Sequence, residues 1–205
     1  MNFLTHQGDD ARDMVEKFHY SGRVPSNVQF IGSLHADGGL FGDTGPLMAA
    51  AFFSLPPTRW SEPVLELSRL VRGNEPQHLT KLISECCKRL KRHKWDLVVS
   101  FADATQGHFG GIYQACSWNY HGQRERRMDG VLVDGQFVPG RSCNSKWGTR
   151  SPSKLAEIGV NAVPHYDEGK HLYWRALNRA GKAKATRLKL ESNAYPKPNL
   201  REDAA

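Results

Sequence analysis

Between Val28 and Val71 the apolar positions fall into three short runs, Val28 to Leu34, Leu47 to Ser54 and Val64 to Val71, separated by Gly, Pro and Asp clusters. That pattern predicts three strands. In the third run, VLELSRLV, alternation puts Leu65, Leu67 and the aliphatic stem of Arg69 on one face, with Glu66, Ser68 and Leu70 on the other. The period then becomes helical from about Leu79 to His93 and returns to a strand at Leu97, Val98 and Val99. A second, shorter helical spacing follows at Ile112, Tyr113, Ala115, Cys116 and Trp118. Strand, helix, strand in this order obeys a right-handed crossover, so the Val64 and Leu97 strands are expected side by side and parallel.

The flanking segments read less strongly. A helix capped by Asp9 or Asp10 runs to about Phe18 and stops at Gly22. The glycines of GGLFGDTG (Gly38 to Gly45) are expected to be turn makers, because neither GxGxxG spacing nor a following Lys-Ser/Thr is present. Tyr120-His121-Gly122 is expected to be a turn, and GVLVDGQFV a hairpin about Asp134-Gly135. Arg141 to Arg150 reads as irregular. SPSKLAEIG suits a short helix with Ser151 as cap, Pro152 at its first position and Gly159 as stop, and KHLYWR (Lys170 to Arg175) a last strand. Beyond Leu177 apolar residues are few and cations many. The expectation is one α/β domain over 1–178 and a disordered basic tail over 179–205, whose removal would leave the melting temperature nearly unchanged.

Composition narrows the class. The 205 residues suffice for a buried core, and a formal net charge of +7 favours polyanionic partners without naming a reaction. No apolar run approaches the roughly 20 residues needed to cross a bilayer, and acidic residues interrupt the N-terminus before a signal-peptide core can form. No membrane role and a cytoplasmic location are expected. The four cysteines have no common zinc spacing and are expected as free thiols. The run Lys88, Arg89, Lys91, Arg92, His93, Lys94 suits either a solvated helix end, favoured by the helix dipole, or a DNA-facing ridge.

Chemistry-bearing residues gather after the Leu97 strand, where ligands sit in open α/β sheets: Ser100, Asp103, His108 among glycines, and Tyr113. Arg69, on a central strand, needs an anionic partner, which Asp103 on the neighbouring strand could supply as a structural ion pair or as a catalytic carboxylate held by a cation. Asp103 could equally cap its own loop. Tyr113 suits a core position or a proton donor, and His108 a base, a metal ligand or a phosphate contact. A second gathering, His19, Tyr20, Ser21 and Arg23, follows the first helix.

SFAD (Ser100 to Asp103), GHFGGIYQA (Gly107 to Ala115), Trp118, Tyr120-His121-Gly122 and the earlier His19-Tyr20-Ser21 together resemble the Mom family of phage DNA adenine-modification proteins, a divergent branch of the GNAT acyltransferase fold. The resemblance implies a mixed sheet flanked by helices, with a central parallel strand pair splayed at one end. It implies a small carbamoylmethyl-type group added to the exocyclic N6 of adenine in double-stranded DNA, protecting it from restriction. The adenine would be flipped from the duplex and stacked on Tyr20, Trp118 or Tyr120. Arg69, Ser100, Asp103, His108 and Tyr113 would be catalytic, with His19, Tyr20, Ser21 and Arg23 binding substrate. It further implies acetyl-CoA or another acyl or glycyl donor, and iron held by His19, Tyr20 and Asp103. The donor loop departs from the family of folds: Arg72 to Pro76 supplies one glycine, and Glu75 would repel a diphosphate. Two other readings are a GNAT acyltransferase acting on a protein or small molecule, and a basic DNA-binding module without catalysis.

Overall fold

In the computed structural model the described residues are all but 1, 6–8, 26, 39–43, 57–59, 61, 63, 75–78 and 198–205. Several expectations fall outside them, among them the middle of the glycine loop, Pro57 and, in the donor loop, Glu75 and Pro76.

Two compact units are present where one domain was expected. The first comprises 1–102, 110–122 and 172–205; the second comprises 103–109 and 123–171. A seven-stranded mixed sheet runs in the order β1-β2-β3-β4-β5-β10-β6, formed by β1 (Asn2–Thr5), β2 (Val28–His35), β3 (Leu47–Ser54), β4 (Leu65–Arg72), β5 (Leu97–Asp103), β6 (Asn119–Gln123) and β10 (Lys170–Ala176). Helices α2 (Leu79–Arg92) and α3 (Gly111–Ala115) cover one face, where Leu82, Ile83, Cys86, Leu90 and Tyr113 meet Leu65, Leu67 and Val98. On the other face α1 (Asp9–Phe18) brings Ala11, Met14 and Val15 onto Ile31, Phe52 and Val71, and α6 (Arg179–Arg187) brings Ala185 onto Val64, Leu97 and Val99. Both faces of the central strands are therefore dry, which is why those strands read as near-continuous apolar runs.

β4 and β5 pair in parallel, as the crossover argument requires, but only at Leu65↔Val98 and Glu66↔Val99. Beyond Val99 the Ser100 hydroxyl instead reaches the Leu67 carbonyl at 2.7 Å, so a side chain satisfies a group that the ladder leaves open. This is the expected splayed pair. β4 also carries an irregularity that alternation conceals. Phe53 pairs with Leu67 but Phe52 with Arg69, so Ser68 is an extra residue, and the facing pattern inverts there. Leu65, Leu67 and Leu70 share the α2 face, while Glu66, Arg69 and Val71 share the α1 face. The predicted separation of Arg69 from Glu66 is corrected by this bulge.

Three further corrections concern segments with weak patterns. Tyr120-His121-Gly122 lies within β6 rather than in a turn, Arg141–Arg150 contains α4 (Gly140–Trp147), and β9 (Ala162–Tyr166) and the four-residue β1 escaped notice. The fourth correction is larger. Far from being disordered, 179–197 forms α6 and an extended segment on the sheet edge. Asn178 caps α6 at Gly181 N–H and is itself held by Asp96, which also pairs with Lys184 at 2.6 Å. Past α6, Glu191 N–H donates to His121 Nδ1 at 3.0 Å, Asn193 N–H to the Tyr120 carbonyl at 2.7 Å, and the Tyr195 hydroxyl to the Trp118 carbonyl at 2.8 Å. The segment thereby covers the open edge of β6, and composition missed it because the anchoring groups are polar.

The second unit is a three-stranded antiparallel sheet, β8 (Gln136–Pro139), β7 (Met128–Val133) and β9, backed by α4 and α5 (Pro152–Glu157) around Val131, Cys143 and Leu155. The Asp134-Gly135 hairpin forms as predicted, both residues having positive φ. Asp167, 2% exposed, organises the other end: its carboxylate accepts from Arg127 N–H, Gly169 N–H and the Arg124 guanidinium. Burial raises its pKa, but these donors outweigh burial and leave it below the usual carboxylate range. A depressed native pKa stabilises the fold above the unfolded-state value and loses that stabilisation as pH falls through the native one. Asp167→Asn is expected to cost about 3 kcal/mol by leaving Arg124 without its counter-charge. A melting curve at neutral pH checks this, and the difference from wild type should shrink on acidification below about pH 4.

Candidate active site

Seven of the predicted site residues, Arg69, Ser100, Tyr113, His19, Tyr20, Ser21 and Arg23, lie together in the first unit. The Ser100 hydroxyl on β5 is 2.7 Å from both the Leu67 carbonyl and the phenol oxygen of Tyr113 on α3. One hydroxyl proton cannot serve both. Since a carbonyl only accepts, the consistent arrangement with both contacts made has Ser100 donating to Leu67 and Tyr113 donating to Ser100. The Tyr113 ring packs between Trp118 and Tyr173, with centroids 5.3 and 5.2 Å away. Burial pushes the phenol up to about 12, an effect that Ser100 only partly offsets. A phenolate could gain the Ser100 proton only if that proton left Leu67. Tyr113 is therefore a proton carrier at neutral pH, suited to donating and not to abstracting.

α3 starts where it does because Gly110 precedes it at φ +79°, and a Cβ there would enter the Tyr173 ring. The glycine brings Tyr113 against Ser100 while keeping Tyr173 in the aromatic core.

Arg69, just past the bulge, is half-buried and donates from Nε to the Arg23 carbonyl at 3.1 Å and from Nη1 to the Ser68 carbonyl at 2.6 Å. These bonds tie β4 to the loop after α1. Burial lowers the guanidinium pKa, with Tyr20 and Glu66 opposing the change electrostatically, and an arginine remains cationic throughout. In that loop the His19 ring stacks on Tyr20 with centroids 4.4 Å apart. His19 Nδ1 accepts from Ser21 N–H at 3.1 Å and lies 2.9 Å from the Ser21 hydroxyl, which fixes the neutral ring as the Nε2–H tautomer. Tyr20 is 55% exposed. The loop thus presents an aromatic face beside a cation. Glu66, on the same face of β4 as Arg69 and opposing electrostatically the lowering of its guanidinium pKa, is the residue that sequence reasoning missed. Alternation had turned it away, and only the bulge reveals it.

The remaining predictions separate from this group. Asp103 and His108 belong to the second unit. Asp103 caps its own loop, accepting from Thr105 N–H at 3.1 Å, and pairs with Lys170 at 3.2 Å. His108 is exposed. Trp118 is 0% and Tyr120 8% exposed, so neither ring is offered for stacking on a flipped base. Among the described residues no three His, Cys, Asp or Glu side chains gather as metal ligands, so the proposed iron set of His19, Tyr20 and Asp103 has no support. All four cysteines are free, and burial pushes the Cys87 thiol up to about 12, which suits packing and not nucleophilic chemistry. Among the described residues no helix is long and apolar enough to cross a membrane.

Comparison with known proteins agrees with this architecture. A GNAT family N-acetyltransferase (YhbS) from Escherichia coli, solved in complex with CoA, superposes with a TM-score of 0.50 at 12% identity, over 88% of this chain and 83% of that one. An acetyltransferase from Bacillus subtilis in complex with CoA gives 0.49 at 9% identity, over 86% and 99%. The putative acetyltransferase yncA from Salmonella typhimurium with acetyl-CoA gives 0.48 at 10% identity, over 87% and 96%. Identities this low speak for the fold alone, and the fold is GNAT-like. No curated protein matches the sequence. The model of the Mom protein family matches residues 3–197, from β1 to the segment that closes the β6 edge, and the chain belongs to that family.

Proposed function

We propose that this protein is a phage-type DNA-modifying transferase that adds a small carbamoylmethyl-type group to the N6 amine of adenine. The observation that carries the reading is membership of the Mom family across nearly the whole chain, set on an acyltransferase-like fold. A net charge of +7 supports a polyanionic substrate. The N6 lone pair is delocalised into the ring, so the amine is a poor nucleophile and catalysis rests on positioning and proton management. N6 attacks the electrophilic carbon of the donor, forming a C–N bond as the donor's bond to its leaving group breaks. Glu66 takes the proton released by N6, and Tyr113 gives its proton to the leaving group, with Ser100 holding the phenol in place. Arg69 holds the anionic part of the donor, and Tyr20 stacks on the flipped adenine with His19 behind it. Asp103 and His108 serve DNA contact or loop order in this scheme and are not the base.

The shared fold supports an acyl-CoA-type donor, yet the loop after β4 differs from the usual diphosphate cradle. Titration calorimetry with acetyl-CoA is therefore expected to give a dissociation constant weaker than about 10 μM, or less than about 7 kcal/mol of binding. A value near 1 μM would show that this loop binds CoA in the ordinary way. The functional reading itself is tested by restriction digestion of plasmid DNA from cells expressing the protein. Resistance at sites containing adenine is expected, together with full cutting at sites lacking it; uniform cutting would remove the DNA-protection reading.

A further inference from the structure

The cations of α6 divide into two sets. Lys184 and Arg187 are turned to the body of the first unit, pairing with Asp96 at 2.6 Å and Glu62 at 2.7 Å. Arg179, Lys182 and Thr186 are exposed at intervals of three and four along α6, and Lys189, two residues past the end of the helix, is exposed beside them in sequence. No acidic residue occurs from Leu177 to Leu190. The opposite side of the helix, Gly181 and Ala185, is buried, so the stripe faces solvent on a rigid support. The nine residues of α6 at about 1.5 Å each span about 14 Å, the axial length over which duplex DNA carries about eight phosphates. Among the described residues Arg179, Lys182 and Lys189 form no ion pair, and Arg179 sits at the N-terminal end of α6, where positive charge is disfavoured.

We infer that the outer face of α6, through Arg179, Lys182 and Lys189, is a phosphate-binding ridge that holds the backbone of double-stranded DNA. This rests on the proposed function and adds the surface by which the duplex is held. Backbone contacts of this kind fix register without reading sequence, so the ridge would hold the duplex while a flipped base is handled elsewhere.

The test is fluorescence anisotropy of a labelled 30-base-pair duplex, roughly three helical turns, titrated with the full chain over a series of salt concentrations. Replacing Arg179, Lys182 and Lys189 together by Gln is expected to reduce the slope of log affinity against log salt by about 2 to 3 while leaving the melting temperature unchanged. Lys184→Met should do the reverse, lowering the melting temperature and leaving the slope as in the wild type. An unchanged slope in the triple variant, with normal binding by the wild type, overturns the ridge and leaves the proposed function standing. A wild type with no salt-dependent duplex binding overturns both. Tighter binding of a single-stranded RNA than of the duplex, lost in the same variant, would reassign the ridge and overturn the DNA partner.

Discussion

Ending the chain at Asn178 is expected to unfold the first unit. The deletion uncovers the apolar patch of Trp60, Val64, Leu97, Val99 and Trp174 on which Ala185, Leu188 and Leu190 lie. It also removes the Lys184 partner of Asp96, the Glu191 carbonyl that accepts from the Trp174 indole at 2.6 Å, and the segment paired along β6. Gly181 shows how close the fit is: a Cβ there would overlap the Asp96 carbonyl. Burial of a leucine side chain is worth roughly 1.5 to 3 kcal/mol, so the losses together reach about 5 kcal/mol or more, comparable with the whole margin of an ordinary domain. Insoluble protein, or a melting temperature lowered by well over 10 °C, is the expected result for a change of this size. A truncated protein that melts like the full chain would mean that α6 and the edge segment are ornaments.

Replacing Tyr113 by Phe is expected to have the largest effect on activity with little effect on stability. Ser100 keeps its bond to the Leu67 carbonyl when the phenol oxygen is removed, so only an acceptor site on the serine is left empty, and the cost should stay below about 1 kcal/mol. The proton donor of the proposed reaction is gone, and modified adenine should fall below detection. Ser100→Ala supplies the contrast. It strips a partner from both the Leu67 carbonyl and the Tyr113 phenol in a buried place, so it should destabilise by about 1 to 3 kcal/mol while the phenol survives and some activity remains. Retained modification by a stable Tyr113→Phe protein would place Tyr113 in the core alone. The pH dependence adds a second check. Because burial raises the Tyr113 pKa to about 12, any stabilisation linked to its protonation is fully present below the unfolded-state value near 10 and is lost only as pH rises through about 12. An alkaline limb of activity near neutrality must then come from another group.

The sheet was legible where the physics is short-ranged. The runs at Val28, Leu47 and Leu97, the helical period after Leu79 and the Asp134-Gly135 turn each state their structure locally, and the crossover rule orders β4 and β5 without any knowledge of the rest. What was not legible depended on a single inserted residue or on distant partners. Nothing in VLELSRLV announces that Ser68 is a bulge, so alternation put Arg69 on the wrong face and hid Glu66. The partner expected for Arg69 was a carboxylate, and backbone carbonyls answered instead. Lys- and Arg-rich 179–197 carries too little apolar surface to declare itself, because its order comes from Asp96, Glu62, His121 and Trp118, more than 70 residues away for several of its bonds. Of the candidate site, the identities of Ser100, Tyr113, Arg69 and the His19–Ser21 loop were readable. The nearness of Ser100 and Tyr113 was foreseen, but the tie of Arg69 to the loop after α1 was not, nor was the withdrawal of Trp118 and Tyr120 into the core, since the amino-acid type alone does not tell a stacking platform from a packed ring.

Nucleoside mass spectrometry on plasmid DNA from cells expressing the full chain tests the central claim most directly. The account predicts a deoxyadenosine derivative heavier by one carbamoylmethyl group in place of a hydrogen, fragmenting to a modified adenine base, and absent from cells expressing stably folded Tyr113→Phe protein. Unmodified deoxyadenosine throughout, with soluble wild-type protein in the same cells, would contradict it.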